Sequence, residues 1–189
     1  MEQIIQNFTT WIQDFVVSNN VLISVIVGSL VVILESILPF LPLAVFIAIN
    51  VIAFGPLMGF TISYISTIIG CTISFYLVRY LKKYNKSKRI NALISKFESF
   101  SFSSLVIITA VPFTPAFSIN IASGLSKIEY RKFLFVLLIS KLSIIYFWGF
   151  IGTTLLESIT DIVVITRILI ILLVTFILSR IVMKHFDIN

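Results

Sequence analysis

The amino-acid sequence predicts an all-α, polytopic helical membrane protein with two opposed re-entrant helical hairpins arranged as an inverted repeat. Hydrophobic residues make up 59% of the chain and charged residues 12%, which is about half the roughly 25% of charged residues in a soluble domain. The apolar runs are long and continuous, like transmembrane helices of roughly 20 residues, whereas membrane barrels show ~10-residue alternating segments. Prolines and clustered basic residues interrupt these runs in a repeated order, and that order predicts the hairpins.

The chain divides into three parts. In residues 1–20, apolar side chains recur at helical spacing and polar side chains fill the other face, which is typical of a peripheral amphipathic helix in the membrane interface. A helix packed on the rim of the protein itself fits this pattern equally well. Residues 21–155 form the predicted membrane core, and residues 156–189 form a final transmembrane helix with a short tail. The predicted spans are 21–34, 57–78, 130–152 and 161–183.

The prolines indicate a duplicated unit. Two short motifs match each other, and each is followed by an Asn and then a Gly: Pro39-Phe40-Leu41-Pro42 with Asn50 and Gly55, and Pro112-Phe113-Thr114-Pro115 with Asn120 and Gly124. Proline breaks a helix, and transporters often bring the broken helices of inverted repeats together near the membrane midplane. We therefore predict re-entrant loops at about 36–55 and 99–126, with their turns at the prolines.

The basic residues predict the topology. Half of the 14 Lys and Arg residues fall in one stretch: Arg79, Lys82, Lys83, Lys86, Lys88, Arg89 and Lys96. Between membrane segments such a cluster marks the cytoplasmic side, so we predict a basic cytoplasmic helix at 79–98 and no nucleic-acid partner. The next basic group includes Lys127 and Arg131. A full span at 99–126 would place this group outside, whereas a re-entrant loop keeps both groups inside. Counting the predicted spans from this cytoplasmic side places Glu35 on the outer side.

Signatures of familiar enzymes are missing from the sequence. Its single histidine, His185, lies in the tail, so a His-based triad or an HExxH zinc site cannot form in the core. The chain also lacks the CxxC, Walker and GxSxG motifs. We expect neither enzyme activity nor a cofactor or metal.

Two ionisable residues at membrane depth are candidates for function, as such residues generally are. Glu35 adjoins the first proline motif, although it could also be an interfacial carboxylate facing water. Lys141 lies ~10 residues, or about 15 Å, from either end of its predicted helix, although its long side chain could also snorkel towards water. A buried lysine without a partner is costly, so an acid or an anionic ligand is expected beside it.

A family resemblance becomes visible at this point. The segment from Glu35 through Pro39 and Pro42, followed by Gly55, resembles the first signature of the DedA family and its VTT-domain relatives, which include the SNARE-associated Golgi protein branch. The second proline motif with Asn120 and Gly124 resembles the second signature of that branch. The resemblance covers roughly residues 21–155. It implies two opposed re-entrant loops and a role in moving lipids across bilayers, including undecaprenyl phosphate and phospholipids.

The chain departs from the family at two positions. Family members commonly carry an arginine where this chain has Thr109, and several carry another where it has Pro115. Such arginines suit binding of a phosphate or a counter-ion. The basic residues that could replace them here are Lys141, Lys127 and Arg131.

The sequence therefore predicts a lipid transporter or scramblase-like protein of the plasma membrane. Its site would lie where the two proline turns approach each other. Glu35 would gate transport or carry a proton, and a basic residue would meet an anionic headgroup of a membrane lipid. Two alternatives stay open: a transporter of small solutes or ions, and a structural protein of membrane or envelope biogenesis. Oligomeric state is left open as well.

Overall fold

The computed structural model describes residues 20–38, 43–81, 94–95, 97–114, 116–157 and 161–186, together with Asn7, Thr10 and Asp14. These described residues form helices and the turns between them, with no strand among them, and the predicted all-α class is confirmed. The predicted helices at 1–20 and 79–98 lie largely outside the described residues, as do Pro39, Pro42 and Pro115.

The described helices are, in chain order, α1 (Val21–Ile37), α2 (Leu43–Phe54), α3 (Pro56–Leu81), α4 (Phe102–Ala110), α5 (Ala116–Leu125), α6 (Tyr130–Glu157) and α7 (Ile162–His185). Among them, α3, α6 and α7 are long and apolar enough to cross a membrane. They correspond to three of the four predicted spans. Their starts follow local chemistry, because Asp161 accepts hydrogen bonds from two backbone N–H groups of α7 and Pro56 occupies the first position of α3, where its missing N–H is not needed.

The first hairpin consists of α1 and α2. The two helices touch at Gly28, where a Cβ atom would lie 2.5 Å from Oδ1 of Asn50. Gly55, with a φ angle of 81° that favours glycine, then joins α2 to α3. α1 and α3 run parallel. Gly28 of α1 contacts Asn50, which also contacts Gly59 near the start of α3, and Ser36 near the end of α1 lies beside Gly70 further along α3. With 17 residues, α1 forms the first limb of this hairpin, and the span predicted over 21–34 stays a prediction.

The second hairpin consists of α4 and α5, joined by a turn in which the Thr114 N–H donates to the Val111 carbonyl. α4 has 9 residues and α5 has 10, so each is about 15 Å long at most, half of a bilayer core of ~30 Å. The two ends of the hairpin meet, because the Lys127 N–H donates to Oε1 of Glu98 at 2.7 Å. Segment 99–126 thus turns back on itself within the fold. That it does so inside a membrane stays a prediction.

The two hairpins open at opposite ends of α3. Hairpin α1–α2 opens beside the start of α3, where Gly59 contacts Asn50. Hairpin α4–α5 opens beside the end of α3, where Arg79 donates to the carbonyls of Ser126 and Ile128. The arrangement is the one that an inverted repeat requires.

The packing of the helices also follows the repeat. In the first proposed repeat α1 packs on α3, and in the second α4 packs on α6. α2 packs on α6 and α5 packs on α3, so each short second limb contacts the long helix of the other repeat. The core between them contains the stacked rings of Phe75 and Phe133, whose centroids are 4.8 Å apart. α7 lies outside this core and is mostly exposed, with Phe176 against Phe113 of the α4–α5 turn.

Candidate functional site

Lys141 is buried in the middle of α6. Its side chain is 2% exposed and is among the largest fully buried side chains of the described residues. It lies about 16 Å along the helix from Tyr130, at a rise of 1.5 Å per residue. The side chain therefore does not snorkel to the protein surface.

Glu35 is an acid close enough to Lys141 for the two charges to influence each other. The carboxylate lies in the last turn of α1, is half-buried, and experiences the positive charge of Lys141. Its neighbour Ser36 packs against Gly70, which lies about 21 Å from the start of α3 and about 16 Å from its end. Glu35 therefore lies near the middle of α3 along its length, and its placement on the outer side of the membrane stays a prediction. Opposite charges attract strongly in such an interior, where the dielectric constant is low.

The two asparagines that follow the proline motifs hold the hairpins to α3. Asn50 is 1% exposed, and its Nδ2 donates to Oγ of Ser63 at 3.0 Å. Asn120 is equally buried, and its Nδ2 donates to Sγ of Cys71 at 3.5 Å. Gly124, one turn after Asn120, lies so close to α3 that a Cβ atom would be 2.8 Å from the Phe75 carbonyl oxygen. These residues position the hairpins around the charge pair.

Pro112 is the proline of the second motif that the structure describes, and it lies half-buried in the turn between α4 and α5. The turn is thus where the sequence predicted it. The next residue, Phe113, packs edge-on against Trp148 of α6, with ring centroids 5.6 Å apart. Since Trp148 follows Lys141 by two helical turns, the tip of this hairpin lies about 10 Å along α6 from the level of Lys141.

Arg79 is a positioning residue that the sequence analysis did not single out. Its guanidinium donates to four carbonyl oxygens at the C-terminal end of α5, those of Ser123, Gly124, Ser126 and Ile128, over 2.7 to 3.5 Å. It also lies 4.2 Å from the centroid of the Phe75 ring. A cation is favourable at a helix C-terminus, where carbonyl groups lack partners. The sequence contained one indication of this role. Arg79 directly follows the uncharged run and lies one helical turn after Phe75, so the side chains of Arg79 and Phe75 share a helix face.

Lys127 and Arg131 lie away from the charge pair. Both are exposed and belong to the end of the bundle at which Arg79 holds α5. Arg131 precedes Lys141 on the same helix by about 15 Å. A surface cleft of about 350 Å³ beside them is lined by acids and bases together, including Glu98 and Lys132. Of the three basic residues proposed to replace the arginines, only Lys141 lies at the centre.

The hydroxyl of Thr109 occupies the position where the family resemblance led us to expect an arginine. Thr109 is 4% exposed, and its Oγ1 has no hydrogen-bond partner among the described residues; the same holds for Thr114 in the turn that follows. The second hairpin therefore contributes neutral hydroxyl groups where an arginine would contribute charge. Within the described residues, no group of three His, Cys, Asp or Glu side chains could hold a metal ion.

Three apolar helices long enough to cross a membrane and two hairpins that open at opposite ends of α3 define a helical membrane protein. The model of the VTT domain matches residues 41–154, which is more than half of the chain. The chain belongs to this family, also called the DedA family, and the resemblance seen in the sequence is confirmed.

Two proteins of Bacillus subtilis (strain 168) are similar to the chain. The one named "Uncharacterized membrane protein YhjE" is 31% identical over 145 residues, covering 72% of this chain and 69% of that protein. The one named "Uncharacterized protein YqeD" is 26% identical over 125 residues, covering 63% of this chain and 60% of that protein. No solved structure matches the chain.

Proposed function

We propose that the protein moves an anionic lipid across the plasma membrane, with the pair of Glu35 and Lys141 as its gate. The observation that carries the proposal is the burial of Lys141, with 2% of its surface exposed, within electrostatic reach of the half-buried carboxylate of Glu35. Structural roles rarely require a buried cation, because removing a charge from water costs several kcal/mol. Ionisable residues kept at membrane depth more often serve transport.

The chemistry of the pair suggests how the gate works. With both groups charged, Lys141 is neutralised from within the protein and the site is closed to other anions. When Glu35 takes up a proton, its charge is lost and Lys141 requires another anion. The phosphate of a lipid headgroup supplies one. Proton uptake and headgroup binding are thereby coupled, and release of the proton expels the headgroup.

The two hairpins supply the routes to this gate. Because they open at opposite ends of α3, the gate lies about midway from either end of the bundle. A headgroup entering from one leaflet would pass one hairpin, reach Lys141, and leave past the other. Such a process forms and breaks no covalent bond, so the proposal is a transport role and not a catalytic one.

The test is reconstitution into vesicles with labelled anionic and zwitterionic phospholipids. We expect Glu35→Gln and Lys141→Met each to reduce transbilayer movement of the anionic lipid at least tenfold, and Lys141→Arg to keep part of it. Glu35→Gln should also remove any dependence of the rate on pH between 5 and 8. Arg180→Met, which removes an exposed cation from α7, should leave the rate unchanged.

Two outcomes would reject the lipid proposal. Movement of both lipid classes that none of these substitutions affects would show that the pair has no part in transport. Uptake of a small anion such as phosphate into the vesicles, without lipid movement, would instead assign the same gate to a small-solute transporter.

A further inference from the structure

The helices around α3 carry very few charges between their ends. In the sequence, no charged residue occurs within 36–78 or within 99–126, the two runs that contain the proline motifs. On α6, Lys141 is the one charged residue within 133–156. One acid, Glu35, and one base, Lys141, are therefore the charges that the two repeats bring to the interior of the bundle.

The other cations of the neighbouring helices are placed elsewhere. The guanidinium of Arg79 is held at one end of α3 by the carbonyl groups that follow α5. Arg167 and Arg180 are exposed on α7, which lies outside the core. The polar group that α3 directs to α6 near Lys141 is the hydroxyl of Tyr64, which donates to the Leu138 carbonyl at 2.7 Å and is not a cation. Lys141 is thus the cation available to a headgroup at this level.

The second hairpin contributes a neutral group near the same level. Ile108 of α4 belongs to the buried cluster that contains Leu137, and Leu137 precedes Lys141 by about one turn of α6. Thr109 follows Ile108 directly, and its buried hydroxyl has no partner among the described residues. A hydroxyl group can donate a hydrogen bond to a phosphate oxygen, but it does not neutralise a negative charge.

The number of charges decides which headgroup the site can neutralise. When Glu35 is protonated, the site carries the single positive charge of Lys141. A phosphodiester headgroup without other charged groups, as in phosphatidylglycerol, brings one negative charge and makes the site neutral. A phosphomonoester has a second pKa of roughly 6 and brings about 1.5 to 2 negative charges at pH 7. Its second charge has no cation to meet, and an uncompensated charge is costly in an interior of low dielectric constant.

We infer that the site accepts lipids whose headgroup carries a single negative charge, the anionic phosphodiesters, and excludes phosphomonoester lipids in their doubly charged form. The inference rests on the proposed function and names the substrate class of the same site. The absence of a second cation within 36–78 and 99–126 determines this selectivity, because neither proline turn can supply one.

A vesicle assay at two pH values tests the inference with the unmodified protein. Phosphatidylglycerol and phosphatidic acid are labelled on an acyl chain and reconstituted separately, with equal pH on both sides of the membrane. The share of phosphatidic acid headgroups with a single charge falls from about nine tenths at pH 5 to about one hundredth at pH 8, for a second pKa of roughly 6. After subtraction of the rates in protein-free vesicles, we expect the two lipids to move at similar rates at pH 5 and phosphatidylglycerol to move at least tenfold faster at pH 8. Both rates share the dependence on Glu35, so their ratio reports the charge of the headgroup.

A second cation near Lys141 should reduce this preference. Thr109→Arg replaces the buried hydroxyl of α4 with a guanidinium, and we expect the ratio of the two rates at pH 8 to fall at least fivefold. Ile107→Arg adds the same charge on the outer side of α4, where Ile107 is 48% exposed and a long side chain can extend towards water. This control should keep the wild-type ratio. Size-exclusion chromatography identifies the variants that fold, and the wild-type measurement needs neither of them.

The outcomes separate the inference from the proposed function. Movement of phosphatidylglycerol with equally fast movement of phosphatidic acid at pH 8 would overturn the inference and leave lipid transport standing. An unchanged ratio in a folded Thr109→Arg variant, or the same fall in both arginine variants, would also overturn it. Movement of neither lipid would refute the proposed function itself, and the inference with it.

Discussion

The two hairpins share their place in the repeat and differ in how they are held. Hairpin α1–α2 is compact: its limbs touch at Gly28, and Asn50 bonds to Ser63 of α3. In hairpin α4–α5 the limbs lie on different long helices, α4 on α6 and α5 on α3, whereas α1 and α2 both pack on α3 and α2 also contacts α6. The guanidinium of Arg79 holds the end of α5. The first hairpin carries the carboxylate of Glu35, and both hairpins carry buried hydroxyl groups without a partner among the described residues: Ser24 in the first, Thr109 and Thr114 in the second. The two hairpins thus occupy corresponding positions in the predicted repeat, whereas different interactions fix them.

The largest effect expected from this comparison is an all-or-none difference in labelling. After Cys71→Ser, single cysteines introduced by Asn20→Cys and Lys127→Cys probe the open ends of the first and second hairpins, and both positions are exposed. Because the basic stretch after Arg79 is expected in the cytoplasm, an impermeant thiol reagent should label position 20 in intact cells and spare position 127. Permeabilised cells should label both. Labelling of the two positions from the same side would mean that the hairpins are not opposed across the membrane.

Breaking the charge pair should give the next largest effect. Glu35→Gln leaves the buried Lys141 without its nearby negative charge, and removing the partner of a buried charge costs up to about 3–5 kcal/mol. Lys141→Met leaves the half-buried Glu35 without its nearby positive charge and should cost less. The double variant should recover most of this loss, since it removes both charges. Denaturant unfolding of the detergent-solubilised protein gives the free energy of unfolding of the wild type, the two single variants and the double variant. Additive single losses would show that the two residues are stabilised independently and do not form a pair.

Removing the guanidinium of Arg79 should loosen the second hairpin and spare the first. Arg79→Gln leaves carbonyl groups at the end of α5 without a charged donor, and hydrogen bonds to charged groups are worth about 1.5–3 kcal/mol. Arg79→Lys should keep part of that stability, because an ammonium still suits a helix C-terminus. Amide hydrogen exchange should rise in α5 and stay unchanged in α1. The exposed Arg131→Gln serves as control, and an equal effect there would assign the loss to net charge alone.

The smallest effect separates the polar groups of the two hairpins. Thr109→Val replaces a buried hydroxyl that has no partner among the described residues with a methyl group of similar shape, so unfolding stability should change by less than about 0.5 kcal/mol or rise. Ser63→Ala removes the acceptor of the buried Asn50 amide and should cost about 1–3 kcal/mol. A large loss from Thr109→Val would reveal a hydrogen bond in the protein that the fold does not account for.

Much of the fold follows from the sequence, because apolar runs and prolines are local signals. The uncharged run before Arg79 predicted α3, and the basic groups around 99–126 predicted a segment that turns back, as the bond between Glu98 and Lys127 requires. The first hairpin was assigned differently because Glu35 ends an apolar run, so 21–34 was interpreted as a span with a charge at its outer end.

The partnership of Glu35 with Lys141 could not be predicted from the sequence alone. The two residues are far apart in the chain, and only the packing of α1 and α6 around α3 brings their charges together. Each was identified as a candidate on its own, since ionisable residues at membrane depth are rare. The same limit applies to Arg79, whose carbonyl partners belong to a helix and a loop that follow much later in the chain.

The division of α4 and α5 between two long helices sets an order of assembly during synthesis. When α5 leaves the ribosome, α3 is already made and offers the surface on which α5 packs. α4, with 9 residues, is too short to be inserted as a span of its own, and the helix that covers it, α6, has yet to be translated. The first hairpin can pack on α3 as soon as α3 is complete, although its contact with α6 also comes later. Because α4 packs on α6, we expect the second hairpin to reach its final position only after α6 has been made.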